Sequence, residues 1–425
     1  MIDQVVADSE DALRRLLLHY PKAGTIWIGF SGGLDSTALL WLASQTVRQT
    51  HPHGQLRALH VNHNLQPDAQ SWVAHCKRIA TQLGVDFKTV SVKPENASEA
   101  AAREARYRVF AELMSPEDLL LLAHHRNDQA ETFLMRLFRG AGVQGLAAMP
   151  SERPLGSGRL LRPLLSISRH EVERIVAQAA LDWIDDPSNQ QINYLRNWVR
   201  SVLGPVLNQQ WPGWDQKLAL SAQSCAESAQ LHLELARVDA GGHFANPLAL
   251  TSALLSHPLR LSNLLYHWLR SEQVQPGSRS QLQEIAAQLR HSDSGCWPFG
   301  ERVLHWYQQQ LWLASAQVPV QSCRQVTLEP GTHSIGYGEL QVESVAQGLP
   351  RGITVTLRSR RGGDQIKRAG GTQSVKKFMN ANKVPPWLRD NWPLLEAEGE
   401  IIAIVGLWSS ERWLQADGLA LNWQR

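Results

Sequence analysis

The stretch TIWIGFSGGLDSTALLWLA (25–43) runs from one apolar segment into another through two glycines, two serines and an aspartate. This feature constrains the chain most. A short apolar run suits a buried parallel strand, and a second apolar run following it suits a helix. The turn between them must let a bulky group approach the backbone. Gly32 and Gly33 allow positive φ, and the start of a helix turns its free N–H groups and its dipole toward an anion. Ser31, Ser36 and Thr37 add hydroxyls. Asp35 would repel a bare phosphate, but it fits if a Mg²⁺ ion accompanies the phosphates, because a hard cation takes carboxylate oxygen. The plainer alternative is a tight strand–helix turn with Asp35 or Ser36 as its cap.

The same alternation continues to about residue 205. Leu13, Leu16, Leu17 and Tyr20 fall at helical spacing, and Ser36–Ser44 forms the helix after the turn. LRALHV (56–61), DFKTVSV (86–92) and DLLLLAHH (118–125) read as strands. WVAHCKRIATQLG and SEAAAREARYRVFAELM read as the helices between them. The order implies right-handed crossovers and an open parallel sheet with helices on both faces, an α/β domain over 1–205. WPG at 211–213 breaks the pattern, and Leu- and Ala-rich helical stretches follow, giving a mainly helical domain over 212–315 closed by short strands at 297–315. A small α+β domain over 350–425 alternates ITVTL and IIAIVGLW with a Gly- and Arg-rich segment, and VPVQSCRQVTLEPG serves as linker and edge strand.

A chain of 425 residues favours two or three domains. No apolar run reaches membrane-spanning length, and the acidic, amphipathic start lacks the basic and apolar regions of a signal peptide, so a cytoplasmic protein is expected. Cys76, Cys225, Cys296 and Cys323 form no C-x-x-C pair. That spacing argues against a disulfide framework, a zinc site or an iron–sulfur cluster, and four buried free thiols are expected. The net charge of +3 is too small to imply nucleic acid by itself.

Spacing excludes two familiar phosphate loops, since neither G-x-x-x-x-G-K-[ST] nor G-x-G-x-x-G is present. SGG-x-DS instead resembles the loop of the ATP pyrophosphatases, which split ATP into AMP and pyrophosphate while adenylating a substrate. The resemblance implies ATP contacts at Ser31, Gly32, Gly33, Leu34, Asp35 and Ser36. It adds His60 and Asn62 of HVNHNL, at the carboxyl edge of the second strand. His60 and His63 serve equally well as ordinary loop histidines. Arg103, Arg106 and Tyr107 share one helix face. Asp128 and Glu131, at i, i+3 in AHHRNDQAET, can share a metal or move a proton, or simply favour a helix start.

SGGLDS, HVNHNL, AREARY, AHHRNDQAET, RGAG, LRPLL, DDPSN and RN-x-x-R resemble, in order and spacing, the segments of the tRNA(Ile)-lysidine synthase family. GGTQSVKKFMNANKVPPWLRDNWPLL is similar to that family's C-terminal segment. Two positions depart from its pattern: Asn127 stands where an aspartate is usual, and Asn64 where glycine is. The resemblance implies ATP-dependent adenylation of the wobble cytidine of a CAU-anticodon tRNA(Ile), then displacement of AMP by the side-chain amine of L-lysine. It implies a catalytic set of Asp35, Arg106, Asp128 and Glu131, with Mg²⁺ on Asp35 and Asp128. Asp185 and Asp186 would hold the lysine, and a homodimer is a further expectation. Arg196, Arg361, Lys367, Lys376 and Lys377 would contact tRNA. From Arg358 to Lys377 seven basic residues accompany one acid, Asp364, as a flexible basic surface suited to phosphates. Trp387 beside Arg389 is a stacking platform or a core tryptophan. The rival readings are a tRNA thiolase of the same superfamily, which the unpaired cysteines oppose, and an inactive RNA-binding relative, which Asn127 permits.

Overall fold

The computed structural model describes residues 4–63, 69–93, 95–96, 98–185, 195–316, 323–335, 338–368 and 370–424. It divides into two compact units, Met1–His232 and Leu233–Arg425.

The first unit begins with α1 (Gln4–Leu18), β1 (Thr25–Gly29), α2 (Leu34–Thr50), β2 (Gln55–Asn62), α3 (Ala69–Gln82) and β3 (Asp86–Ser91). It continues through α4 (Glu99–Leu113), β4 (Leu119–Leu121), α5 (Arg126–Leu137), α6 (Val143–Leu146), β5 (Glu152–Leu155), β6 (Gly158–Leu161) and α7 (Arg169–Ala179). The sheet order is β3-β2-β1-β4-β6-β5. All pairs are parallel except the β5–β6 edge hairpin. Period-2 alternation sorts the faces. Ile26, Ile28, Leu119 and Leu121 join α1, α2, α3 and α7 in one core. Trp27, Leu120 and Leu160 point the other way, onto Phe110 and Met114 of and after α4. The α/β reading of this half therefore holds, with an antiparallel edge strand added.

After Asp185 the chain resumes as α8 (Leu195–Trp198), a π-helical turn over Val199–Leu203, α9 (Gly204–Gln210) and the long α10 (Trp214–Asp239). In the second unit, the helices Pro258–Ser271 and Arg279–Leu289 share a core around the fully buried Trp268. A four-stranded antiparallel sheet that includes Ser294–Phe299, Arg302–Tyr307 and Gln310–Ser315 completes it. Beyond residue 323 a five-stranded and a three-stranded sheet enclose a second core of Leu340, Leu357, Leu395 and Ile402. Arg324–Thr327 is an edge strand of the five-stranded sheet, as VPVQSCRQVTLEPG suggested.

The cysteines depart from expectation. Cys76 alone is fully buried; Cys225 is half-buried, and Cys296 and Cys323 are exposed. Cys296 sits on an outer strand of the four-stranded sheet and Cys323 just before an edge strand, and both are exposed there. Among the described residues no helix is long and apolar enough to cross a membrane.

Candidate active site

The SGGLDS turn joins the end of β1 to the start of α2. Gly32 takes φ +83°, and a Cβ there would come within 2.7 Å of Cys76 Sγ and 2.9 Å of Ile184 Cδ1, so geometry and space both demand glycine. The Ser31 and Ser36 hydroxyls lie 3.0 Å apart, and Ser36 Oγ donates to the Gly33 carbonyl at 3.1 Å, which holds the turn in shape. Gly33 precedes α2 and supplies no side-chain cap. The first turn thus keeps the free N–H groups that an oxyanion can accept. Leu34 and Asp35 open this helix. Thr37 is fully buried, so its hydroxyl lies inside the fold instead of lining the turn.

His60 and Asn62, both buried, end the neighbouring strand β2. His60 Nδ1 lies 2.9 Å from the Phe30 carbonyl at the root of the turn and 3.5 Å from Cys76 Sγ. His63 Nε2 lies 3.4 Å from the Arg106 guanidinium of α4. Burial first, then the charge of Arg106, lowers the His63 pKa to about 4, so the ring is neutral and accepts. Asn64 and Asp186 lie outside the described residues. Asp185 is exposed, but it follows Ile184, whose N–H donates to the Gly32 carbonyl at 2.9 Å and ties that segment to the turn.

Across the end of β4, His125 caps α5. Its Nδ1 accepts from the Asp128 N–H, and Asp128 Oδ2 accepts the His125 N–H at 3.0 Å, a reciprocal capping box. That capping fixes the imidazole so that Nε2 lies 3.7 Å from Asp35 Oδ1 and 3.6 Å from Asp128 Oδ2. Both His125 Nε2 and Asp35 Oδ1 are buried without a hydrogen-bond partner. Two such atoms facing each other next to uncapped helix N–H groups leave polar capacity for a ligand. Burial, and next the Asp128 charge, raises the Asp35 pKa, against the opposing pull of His125, Arg169 and Arg200.

Glu131 is nearly fully buried, and Arg200, carried on the π-helical turn, grips it with Nε–Oε1 at 2.8 Å and Nη2–Oε2 at 3.1 Å. Arg200 Nη2 also reaches Asp128 Oδ1 at 3.0 Å. Burial raises the Glu131 pKa despite Arg200. Burial also acts to raise that of Asp128, but His125, His124 and Arg200 together hold it low. Arg196 donates to Thr132 Oγ1 at 3.1 Å, with its Nε 3.7 Å from Glu131. Sequence reasoning named every carboxylate here and missed Arg200, whose signal was its i, i+4 place after Arg196 in RN-x-x-R. The π-helical turn that carries Arg200 is a distortion common at functional sites.

Asn127 faces elsewhere: its Oδ1 accepts the Arg169 N–H at 2.9 Å at the start of α7. The departure at 127 thus falls on a helix–helix tie and leaves the Asp35–His125–Asp128 geometry intact. Among the described residues no cluster of three or more His, Cys, Asp or Glu could hold a metal alone. Asp35, with its unpartnered oxygen, and Asp128 suit Mg²⁺, which commonly takes one or two carboxylates and completes its shell with phosphate and water.

In the second unit the basic segment is more structured than its glycines suggested. Arg358 is buried in ion pairs with Asp364 at 2.9 Å and Glu396 at 2.6 Å, so it is core and not surface. Arg360 pairs with Asp390 and Lys367 with Glu400. Arg361 is exposed, as are Lys376 and Lys377 in the helix Val375–Ala381, and none of the three pairs with an acid side chain among the described residues. The ring face of Trp387 is taken by His305, stacked at 4.1 Å and 8°, with Tyr307 and Trp312 edge-on. It is the core tryptophan of the two alternatives.

A strand, an uncapped glycine turn and a helix whose first-turn Asp35 Oδ1 accepts no hydrogen bond form an anion-binding α/β site, and the family match makes it an ATP-binding domain of the PP-loop class. The PP-loop domain model matches residues 6–207, and the TilS substrate C-terminal domain model matches 355–423. The chain is 36% identical to the tRNA(Ile)-lysidine synthase of Alkalilimnicola ehrlichii, over 97% of this chain and 96% of that one. It is 36% identical to the Pseudomonas syringae pv. tomato protein of that name, over 94% of each. Among solved structures, the U34-tRNA thiolase NcsA of Methanococcus maripaludis aligns with 52% of this chain and 79% of its own, at 18% identity and a TM-score of 0.45. The chain belongs to the tRNA(Ile)-lysidine synthase family.

Proposed function

We propose that this chain joins L-lysine to the 2-position of the wobble cytidine of CAU-anticodon tRNA(Ile), forming lysidine and changing the tRNA from Met to Ile specificity. In the first step the cytidine 2-carbonyl oxygen bonds to the α-phosphorus of ATP and pyrophosphate leaves. In the second the lysine side-chain amine bonds to C2, AMP leaves with that oxygen, and the amine loses a proton. One observation carries this reading: the uncapped start of α2 beside the unpartnered Asp35 oxygen and His125 Nε2.

The backbone N–H groups of the SGGLDS turn donate to the pyrophosphate oxyanions, which are better stabilised as they leave. His60 and Asn62 border the nucleotide at the edge of β2, and Arg106 adds a cation on the same side. Asp35 and Asp128 would hold Mg²⁺, which would supply positive charge against the leaving group. Glu131, with a raised pKa, is the better proton acceptor for the amine, while Asp128 remains ionised. Asp185 and Asp186 attract the lysine's cationic end. Arg196, Arg361, Lys367, Lys376 and Lys377 meet tRNA phosphates, positioning the substrate without reading its sequence.

The test is incubation with ATP, Mg²⁺, radiolabelled L-lysine and bulk bacterial tRNA, followed by mild alkali. Aminoacyl esters are lost in alkali, whereas lysine bonded to a base survives. Alkali-stable label that is absent with Asp35→Ala supports the reading; bound tRNA without label favours the inactive relative.

A further inference from the structure

Among the described residues, a group of arginines beside this site has no acid paired with it. Arg103 and Tyr107 project from α4, Arg153 lies on β5, and Arg162 follows β6. The Arg103 and Arg153 guanidiniums stand 4.9 and 5.0 Å from the Tyr107 ring centre, and Arg103 Nη2 donates to the Tyr107 hydroxyl at 3.2 Å. Arg162 is only 4% exposed, with Nε 3.3 Å from His124 Nδ1 and Nη1 2.7 Å from the Pro150 carbonyl. None of the three arginines forms an ion pair among the described residues. Burial, then the charges of Arg153 and Arg103, lowers the Arg162 pKa after partial relief from Tyr107. His124 is pushed down to about 3, by burial first, with Arg162 and Arg103 adding to it against the pull of Asp128, so the ring is neutral and adds no charge of its own. Isolated buried cations are costly, and several in mutual repulsion are retained where an anion completes them.

His124 and His125 are consecutive at the end of β4. One faces these arginines, and the other faces Asp35 and Asp128. We propose that Arg103, Arg153 and Arg162, with the Tyr107 hydroxyl, form a phosphate site that grips an RNA backbone phosphodiester next to the base presented to Asp35. Planar guanidiniums suit bidentate phosphate recognition. The assignment rests on the RNA substrate proposed above. The polyphosphate of ATP is the other source of the same chemistry.

The experiment measures tRNA affinity against salt concentration, and the KM for ATP, in the full chain and in Arg103→Gln, Arg153→Gln and Arg153→Lys. The glutamine variants are expected to bind tRNA about ten- to a hundredfold more weakly, as for loss of a charge-assisted contact. Their log–log salt slope should fall by about 0.7–0.9 per phosphate released. Arg153→Lys should recover the slope, and the ATP KM should not change. A raised ATP KM with an unchanged tRNA slope overturns the RNA assignment in favour of ATP. Unchanged slope and unchanged KM overturn the site altogether, because a merely structural role moves neither. If the wild-type chain fails to bind tRNA, this inference falls together with the reading it rests on.

Discussion

Asp35→Ala should stabilise the protein while abolishing its chemistry. The Asp35 side chain holds a buried oxygen with no partner, and the Asp128 carboxylate shares the same imidazole. An unsatisfied buried acceptor costs about 1–3 kcal/mol. Against this, a first-turn aspartate gains about 0.3–1 kcal/mol from the helix dipole. With both terms taken near the middle of their ranges, the net gain on truncation is about 1–2 kcal/mol, or roughly 2–8 °C in the thermal midpoint of a unit this size. The pH dependence has a definite sign. The folded-state pKa of Asp35 is raised above its ordinary 3.8, so between those two values the folded form binds more protons than the unfolded. Stability falls as pH rises through that window, and the whole penalty is present at neutral pH. The gap between variant and wild type should be largest at pH 7, shrink as pH falls through that window, and be gone below about pH 4. Thermal unfolding followed by circular dichroism at several pH values, with pyrophosphate release measured in parallel, checks both halves. A variant less stable than wild type at pH 7, or one that still releases pyrophosphate, would refute the reasoning.

Arg200→Met strands Glu131 and Asp128 without their cation and should cost about 3–5 kcal/mol in chemical denaturation, with most of that recovered by adding Glu131→Gln. Gly32→Ala forces a side chain into a left-handed backbone against Cys76 and Ile184, and a loss of about 2–4 kcal/mol is expected from the same measurement. Asn127→Ala removes the bond to Arg169 and should cost about 1 kcal/mol, while Asn127→Asp keeps both the fold and the ligation rate. Neutralising Lys376 and Lys377 to Gln should weaken tRNA binding and lower its salt slope by about 1.5, as read by filter binding.

The fold was legible where a local rule and a global one agreed. The glycine turn, the apolar strand before it and the helix after it each demand the same geometry, and the carboxylates of the site lie within a turn of recognisable helix starts. What depends on pairing across the chain was hidden. Arg358 reads as one more surface cation, because nothing in its neighbourhood in sequence announces Glu396 on the adjoining strand. Arg200 escaped notice for the same reason, since its two acids lie some seventy residues earlier. The exposure of Cys296 and Cys323 follows from which strands end a sheet, and composition does not record that. Asn127 stands where the resemblance expects an acid, but the partner that explains it, the Arg169 N–H at the start of α7, lies some forty residues away in sequence. Single-sequence motifs mark chemistry, whereas the partners that tune it arrive with tertiary structure.

The central claim is that the SGGLDS turn activates the RNA and not the amino acid. Exchange of radiolabelled pyrophosphate into ATP tests this directly, in mixtures that contain tRNA without lysine, lysine without tRNA, or neither. Exchange with tRNA alone, lost in Asp35→Ala, is the result this account predicts. Exchange that needs lysine and ignores tRNA would contradict it.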